Sequence, residues 1–358
     1  MKRILNVLAM ALALGYGGPL VADSVTTVTQ DGAGNSADVQ QTDTFAGQAI
    51  VTQTGSNNTA TVNQHGGILS PQATISSTGD RNTASIEQDN AHQAQASITQ
   101  NGNNNTASVR QVRNDGVSFA NDARATIGQG GHDNTATINQ VGTNCGGCFG
   151  NGNEATASIS QGSSSSFVGY NNTATINQTG LSLRSSALID QDDAYNANAT
   201  VNQTGNDQQA SVRQGIANGG SAQIDQTGHN QTATIDQRFT ANSTSASISQ
   251  SDSNNRATVT QYWNSNFNTA TVVQSGTQHN ASVTQSAAIA EGGTGAFANF
   301  NDANILQSGF SQTATIVQTG LGTGAAHNVV NVNQSGSNNT AHATQHGGAG
   351  NRITVTQN

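Results

Sequence analysis

Residues 53–64 read Gln53-Thr54-Gly55-Ser56-Asn57-Asn58-Thr59-Ala60-Thr61-Val62-Asn63-Gln64, and this stretch decides the fold. Reduced to the positions that recur, it is Gln-x-Gly-x-x-Asn-x-Ala-x-Val-x-Gln. Its second half, a small residue, an aliphatic residue and a glutamine at alternate positions, returns about 26 times between Gln30 and Gln357. A chain made of one unit copied many times stacks as a single array, which overrides the two or three domains that its length would otherwise allow.

Each unit has the period of a β-strand. Ala60, Val62 and Gln64 share one face, while Thr59 and Thr61 share the other, and Val, Ile and Thr are good strand formers. The linker carries Gly and Asn, which accept positive φ angles. We therefore predict a strand of about six residues followed by a tight turn in each unit. The glycines expected in these turns are Gly55, Gly79, Gly102, Gly131, Gly205, Gly228, Gly276, Gly309 and Gly336.

The spacing of the glutamines predicts how the strands are connected. From Gln30 to Gln140 the successive gaps are 11, 12, 11, 13, 11, 12, 11, 18 and 11 residues. Short gaps alternate with longer ones, which is typical of a two-stranded coil with one tight edge and one looser edge. We predict an all-β fold, a cross-β solenoid of about 13 coils and 26 short strands, roughly 60 Å long at about 4.8 Å per coil.

The alternation of gaps breaks within residues 141–200, and the 11-residue gaps then return shifted by one unit. The tight edge should therefore change sides in this region. Two interpretations stay open at this point: a defect in one continuous solenoid, or a boundary between two solenoid halves.

The first 22 residues are predicted to be a signal peptide. Lys2 and Arg3 precede a short apolar run, 4–14, and Leu20-Val21-Ala22 suits a signal peptidase that cuts after Ala22. The apolar run is too short to span a bilayer. Residues 23–358 then form the repeat solenoid, in which no stretch is apolar enough for stable membrane insertion.

The charge of the repeat region excludes several partners. It contains no lysine, and nine arginines face twenty acidic residues. An acidic chain of this kind is not expected to bind nucleic acid or anionic lipid.

The inward-facing amides are expected to hold the coils in register. Buried amides are costly unless paired, and stacked Gln and Asn side chains can donate to one neighbour and accept from the other. The positions predicted to form this amide ladder are Gln53, Asn58, Gln64, Gln88, Gln100, Asn105, Gln111, Gln129, Asn134, Gln140, Gln203, Gln214, Gln226, Gln237, Gln334, Asn339 and Gln345.

No residue pattern predicts catalysis, a cofactor or a metal site, so we do not expect an enzyme. Cys145 and Cys148 lie in an insertion with no further ligands nearby in sequence, which favours a loop disulfide or an idle pair. The acidic residues of 190–193 lack the glycine pattern of calcium-binding repeats. The eight histidines are expected to face solvent.

The repeat resembles that of the curlin family, the subunits of curli amyloid fibres. Full or nearly full copies stand at 53–64, 100–111, 129–140 and 334–345, and the resemblance covers essentially the whole region after the signal peptide. It implies a secreted subunit that leaves through an outer-membrane pore and polymerises with itself, and with other curli-type subunits, into a cell-surface fibre (fimbrium) in biofilm matrix and adhesion. This chain is longer than usual for the family, so major-subunit and nucleator roles both stay open.

The outward-facing threonines suggest an alternative from another class. Pairs such as Thr59/Thr61 project together, and a flat Thr array can order water, as in ice-binding proteins, or serve as an adhesin surface. The other pairs are Thr135/Thr137, Thr173/Thr175, Thr232/Thr234 and Thr313/Thr315. Against this alternative, the shift near residue 180 should move the pairs from one face to the other.

Overall fold

The computed structural model describes residues 24–113, 122–142, 155–162, 170–180, 184–216, 218–238, 242–262, 265–286, 298–320 and 326–358. The predicted signal peptide and the cysteines Cys145 and Cys148 lie outside the described residues. The described part is built of strands and short turns, and it contains no helix that could span a bilayer.

The strands follow one another at intervals that match the sequence repeat. They are β1 (Val25–Asp31), β2 (Ser36–Phe45), β3 (Gln48–Thr54), β4 (Thr59–Leu69), β5 (Gln72–Thr78), β6 (Thr83–Asp89), β7 (Gln95–Asn103), β8 (Thr106–Arg113), β9 (Arg124–His132), β10 (Thr135–Gly142), β11 (Thr156–Gln161), β12 (Thr173–Gly180), β13 (Ser186–Gln191), β14 (Asn198–Asn206), β15 (Gln209–Gly215), β16 (Ser221–His229), β17 (Thr232–Arg238), β18 (Ser245–Ser253), β19 (Arg256–Tyr262), β20 (Ser265–Asn266), β21 (Thr269–Thr277), β22 (Asn280–Ser286), β23 (Ala298–Asn299), β24 (Asn301–Phe310), β25 (Thr313–Thr319), β26 (Asn328–Gln334), β27 (Thr340–His346) and β28 (Arg352–Gln357).

These strands form two parallel 13-stranded sheets. Sheet 1 has the order β1-β3-β5-β7-β9-β11-β13-β15-β17-β19-β22-β25-β27, and sheet 2 has β2-β4-β6-β8-β10-β12-β14-β16-β18-β21-β24-β26-β28. A small two-stranded sheet, β20-β23, lies at the side. Each coil contributes one strand to each sheet, so the predicted all-β solenoid with two strands per coil is confirmed.

The register places equivalent residues of successive coils side by side. Ala60, Val62 and Gln64 of β4 pair with Ala84, Ile86 and Gln88 of β6, and the same three positions align along both sheets. Because side chains alternate across a strand, a slip of one residue would turn every apolar residue outward. The repeat therefore enforces its own register.

A single thin core lies between the two sheets. It consists of the inward Ala and Val or Ile residues of both sheets, nearly all of them fully buried. Each apolar side chain stacks on its equivalent in the next coil. The partly buried members of this core, Val28, Ala37, Val39, Ile353 and Val355, all belong to the first and last coils.

The sheets meet at two edges. We call the connections from sheet 1 to sheet 2 the first edge, and those from sheet 2 to sheet 1 the second edge. The 11-residue spacing lies at the first edge between Gln53 and Gln64, and at the second edge between Gln203 and Gln214. Pairing in both sheets nevertheless continues without interruption from β9 through β15, so the tight turns change sides inside continuous sheets.

Candidate functional site: stacked columns and the end strands

Inward-facing glutamines form a column of hydrogen bonds in each sheet. In sheet 2 the column runs from Gln41 to Gln357, and each rung measures 2.7–2.9 Å from Nε2 to Oε1. In sheet 1 it runs from Gln100 to Gln345 with rungs of 2.7–3.0 Å. Nearly all of these amides are fully buried, so the column satisfies groups that would otherwise be costly.

All the glutamines predicted for the ladder except Gln53 lie in these two columns, and Gln53 accepts a separate bond from Gln30 Nε2 at 2.7 Å. The sequence prediction left out several glutamines that form such bonds. They are Gln30, Gln41, Gln161, Gln178, Gln191, Gln250, Gln261, Gln274, Gln285, Gln307, Gln318 and Gln357. Each occupies the Gln position of an Ala-x-aliphatic-x-Gln unit or a near variant, so the sequence repeat alone is enough to predict its place in a column. In sheet 1, Ser77 stands at a Gln position, and its hydroxyl donates to Gln100 Oε1 at 3.0 Å.

Most of these glutamines also donate to the backbone of the opposite sheet. Gln64 Nε2, for example, donates both to Gln88 Oε1 at 2.7 Å and to the carbonyl of Gln48 at 3.2 Å. Two acceptors for one amide nitrogen fix which way the amide points. In every rung, Nε2 of the earlier coil donates to Oε1 of the later coil, so the columns have a direction.

The asparagines behave differently from the glutamines, because they bind mainly to backbone. At the first edge, Asn58 Oδ1 accepts the backbone N–H of Asn82 at 3.0 Å, and Asn58 Nδ2 donates to the carbonyl of Gly79 at 2.7 Å. Asn105 repeats this arrangement with the N–H of Asn134 and the carbonyl of Gly131. Asn134 Oδ1 likewise accepts the N–H of Asn172, while its Nδ2 donates to the carbonyl of Gly130 in its own coil. An Asn here thus joins the turn of its own coil to the turn of the next.

The nine predicted turn glycines all have positive φ, between 78° and 140°. Most of them also lie against the next turn: a Cβ on Gly55 would come within 2.1 Å of the carbonyl oxygen of Gly79, and one on Gly102 within 1.8 Å of that of Gly131. Glycine is required at such positions both for its backbone conformation and for the close approach of stacked turns. At the second edge, Asp252 takes the glycine position with φ 71°.

At the second edge, several coils have a different residue at the position that corresponds to Asn58 of the first edge. We call these positions the Asn column of the second edge. Gln208 and Gln312 are buried there, and the Oε1 atom of each has no hydrogen-bond partner. His279 is only 1% exposed, so the prediction that all histidines face solvent is wrong. The Nδ1 and Nε2 atoms of this imidazole lie where an Asn would place its oxygen and nitrogen, and burial lowers the pKa of His279.

The outer faces are polar and carry ladders of their own. In sheet 2, Asn139, Asn177, Asn202 and Asp225 are joined by side-chain hydrogen bonds of 2.6–2.8 Å. The predicted Thr pairs also face outward, but Thr59/Thr61, Thr135/Thr137 and Thr173/Thr175 lie on sheet 2, whereas Thr232/Thr234 and Thr313/Thr315 lie on sheet 1. Neither sheet therefore presents all of the Thr pairs.

In β13, β15 and β17 of sheet 1, the charged residues at one outward position alternate in sign. Asp190 pairs in register with Arg213, which pairs with Asp236. Asp236 is also bound by Arg238 at 2.6 Å and by the Tyr262 hydroxyl. Burial raises the pKa of Asp190 above its usual value, and the positive charge of Arg213 opposes this shift. Burial also raises the pKa of Tyr262. This cluster stabilises the stacking of successive coils.

Aromatic stacks lie along the first edge, and the sequence reasoning missed them. His132, Tyr170 and Tyr195 stack with ring centroids 5.4 and 5.8 Å apart, and Phe267 stacks on Phe300 at 5.0 Å. His132 ends β9, whereas the other rings lie in connections of different length, so no fixed spacing in the sequence predicts these stacks. Within the described residues no group of three or more His, Cys, Asp or Glu side chains converges as a metal site would require.

The end strands are the part of the described structure in which pairing is incomplete. Among the described residues, β1 and β2 pair only with β3 and β4, and β27 and β28 pair only with β25 and β26. Gln345 in β27 is 6% exposed, and its Nε2 atom has no hydrogen-bond partner. Unpaired strands with a stacked interior are templates for another chain.

Comparison with known families gives one match, and no curated protein matches the chain. Residues 328–358, which include β26, β27 and β28, match the model of the curlin associated repeat. The same strand unit, with its inward alanine or aliphatic residue and glutamine, stacks in register along both sheets from β1 to β28. Residues 328–358 therefore carry a curlin associated repeat, and the strands before them repeat the same unit.

Proposed function

We propose that the chain is the structural subunit of an extracellular, curli-like functional amyloid fibre, with self-association as its activity and no catalytic role. The observation that carries this proposal is the pair of incompletely paired ends on a stack of in-register parallel strands. A further copy can continue both sheets with the backbone hydrogen bonds and side-chain columns already used inside the chain.

The fibre would belong to the cell surface, in biofilm matrix and adhesion, after export through an outer-membrane pore. The predicted signal peptide and the match to the curlin repeat support this location. Other curli-type subunits are proposed as partners in starting the fibre. The acidic net charge and absence of lysine after residue 22 argue against nucleic acid as a partner.

The Thr-array alternative has weaker support. An ice-binding or adhesin surface needs one flat array, and the Thr pairs are divided between the outer faces of two sheets. On sheet 2 the column through Thr61 also includes Asp38, Gln223 and Asn304, which interrupt it.

The test is to purify the chain without denaturant and to follow thioflavin T fluorescence together with electron microscopy. We expect fibres whose diffraction has a spacing of about 4.8 Å along the axis, and whose growth is accelerated by curli seeds. A chain that stays monomeric for days and does not respond to seeds would overturn the proposal. Thermal hysteresis of that monomer would favour the alternative.

A further inference from the structure

Two tyrosines of successive coils lie against each other on the first edge. The rings of Tyr170 and Tyr195 stack with their centroids 5.8 Å apart and their planes 25° from parallel. Their backbones form a parallel bridge, in which Tyr170 donates its N–H to the carbonyl of Ala194 and accepts the N–H of Asn196. The stacking of the coils therefore holds the two rings together.

Both rings can be reached from solvent. Tyr170 is 38% exposed, and Tyr195 is half-buried. They lie on an edge of the solenoid, outside the apolar core between the two sheets. A small oxidant can therefore reach these two phenols, whereas the side chains of the core are shielded from it.

The column to which these rings belong brings each tyrosine against one other tyrosine. In the coil before Tyr170 the same position is held by His132, whose ring stacks on Tyr170 at 5.4 Å. In the coil after Tyr195 it is held by Asn218. Within the described part of the chain, the pair of Tyr170 and Tyr195 is thus the one place where two phenols are stacked.

Tyr262 provides a contrast within the same molecule. It ends β19 on sheet 1, and its register partners in the adjacent coils are Arg238 and Ser286. Its hydroxyl donates to the carboxylate of Asp236. Its neighbours in the stack are therefore a cation and a serine, and it has no phenol to couple with there.

Stacked phenols have a specific oxidative chemistry. A phenol that loses one electron and one proton becomes a radical whose unpaired electron is shared between the oxygen and the ring carbons beside it. Two such radicals couple by forming a carbon–carbon bond between these ring carbons, and the hydrogen on each bonded carbon then moves to oxygen and restores the phenol. The pair loses two electrons and two protons, which one molecule of hydrogen peroxide takes up to become two molecules of water. Holding the rings in contact replaces a bimolecular encounter.

We propose that Tyr170 and Tyr195 are a modification site, at which hydrogen peroxide acting through a haem peroxidase forms a dityrosine bond between successive coils. The rings reach bonding distance by rotation about their side-chain bonds, which the exposed edge permits. The bond joins residues 170 and 195, in the region where the tight turns change sides. It is made within one chain and needs no second copy, so it goes beyond the proposed function.

The site is tested by treating the chain with hydrogen peroxide and a haem peroxidase, then reducing it and digesting it with trypsin in denaturant. Arg184 lies between the tyrosines, so trypsin places Tyr170 in peptide 125–184 and Tyr195 in peptide 185–213. We expect the two peptides to be recovered as one species that is lighter than their sum by two hydrogen atoms. Free tyrosine in a parallel reaction confirms that the oxidant is active, and separate peptides under those conditions would overturn the inference.

Matched variants separate the stacked pair from tyrosine content. Y195F keeps the ring but removes one phenol, so we expect dityrosine fluorescence to fall at least about tenfold. Y262F removes a tyrosine that has no stacked phenol and should leave the fluorescence unchanged. Equal fluorescence from oxidised Y195F and Y262F would overturn the assignment.

A relocated pair tests the register. Asn218 follows Tyr195 in the column, so Y170F with N218Y should move the cross-link to peptides 185–213 and 214–238. Failure of this double variant to couple, where the unchanged chain does, would contradict stacking as the cause.

A mixture of isotopically labelled and unlabelled chains shows whether the bond forms within one chain. We expect cross-linked peptides that are both labelled or both unlabelled. Pairs with one labelled and one unlabelled peptide would show coupling between chains and would overturn the inference. Because the readout is a peptide mass, it is independent of whether the chain forms fibres.

Discussion

The backbone N–H of Gln312 donates to Nδ1 of His279 at 3.3 Å, which links two successive coils through an imidazole in place of an amide. The other ring nitrogen, Nε2, lies 2.9 Å from the carbonyl of Ser275. This pair of contacts requires the neutral ring with its proton on Nε2. A second proton would occupy Nδ1 and remove the acceptor that Gln312 needs.

The first prediction concerns pH. Burial lowers the pKa of His279, so the stability that this neutral ring contributes is present above its ordinary pKa near 6.5 and is lost as pH falls through the lower folded value. We expect the denaturation midpoint of the soluble chain to fall with acidification below about pH 6.5. H279N keeps the acceptor without a titrating group and should show a smaller fall over the same range. An identical pH profile for H279N would contradict this role.

The second prediction concerns the turn glycines. In G102A the new Cβ would meet the Gly131 carbonyl oxygen at 1.8 Å, and φ of 140° is unfavourable for alanine. We expect a loss of unfolding free energy of at least about 1–2 kcal/mol. G128A is the matched control, since a Cβ there meets nothing within 4 Å. Hydrogen exchange in the neighbouring coils measures the effect, and equal protection in both variants would argue against stacking as the reason for glycine.

The third prediction concerns the glutamine column. Q203A leaves Gln178 Nε2 and Gln226 Oε1 without their side-chain partners in a dry interior. Gln178 Nε2 keeps the carbonyls of Thr156 and Ser185, so the amide atom left unsatisfied is Gln226 Oε1. With about 1–3 kcal/mol for a buried unsatisfied group, we expect a loss of roughly 1–3 kcal/mol in unfolding free energy. Q223A, on the exposed outer face two strands further along the chain, removes an amide of the same size and should cost less than about 0.5 kcal/mol. Similar losses for both would show that the column contributes little.

The fourth prediction is a gain in stability. Gln312 Nε2 already donates to the carbonyl of Ser308 at 2.8 Å, but its Oε1 is buried without a partner. Shortening the side chain in Q312N should bring the oxygen to the position from which Asn255 accepts the N–H of His279. We expect a gain of about 1 kcal/mol, read from the denaturation midpoint. Q209N, at an exposed position, controls for the change of residue type, and a loss of stability in Q312N would contradict the assignment.

The strands, their register and the inward columns could be predicted because they follow from local alternation. Val62 and Gln64 face the interior for the same reason that every second residue of a strand does. The direction of the amides could not be predicted, because it depends on backbone carbonyls of the opposite sheet, such as that of Gln48.

The burial of His279 and the orphaned oxygen of Gln312 were also beyond sequence reasoning. Both residues occupy an Asn position, and whether a longer side chain reaches the N–H of the next coil is decided by distances of a few tenths of an ångström. Likewise, Tyr170 and Tyr195 meet because loops of unequal length return to the same edge. No spacing rule connects them.

The strict alignment of each coil with its two neighbours has a consequence for how such a chain changes over generations. Each coil contacts only the coils before and after it, so loss or duplication of one whole coil creates a junction between residues of the same kinds. Recombination between repeats of the gene would then yield chains with more or fewer coils that keep the same fold. The number of coils can therefore change without loss of the fold, whereas a deletion of a few residues within a strand would break the register.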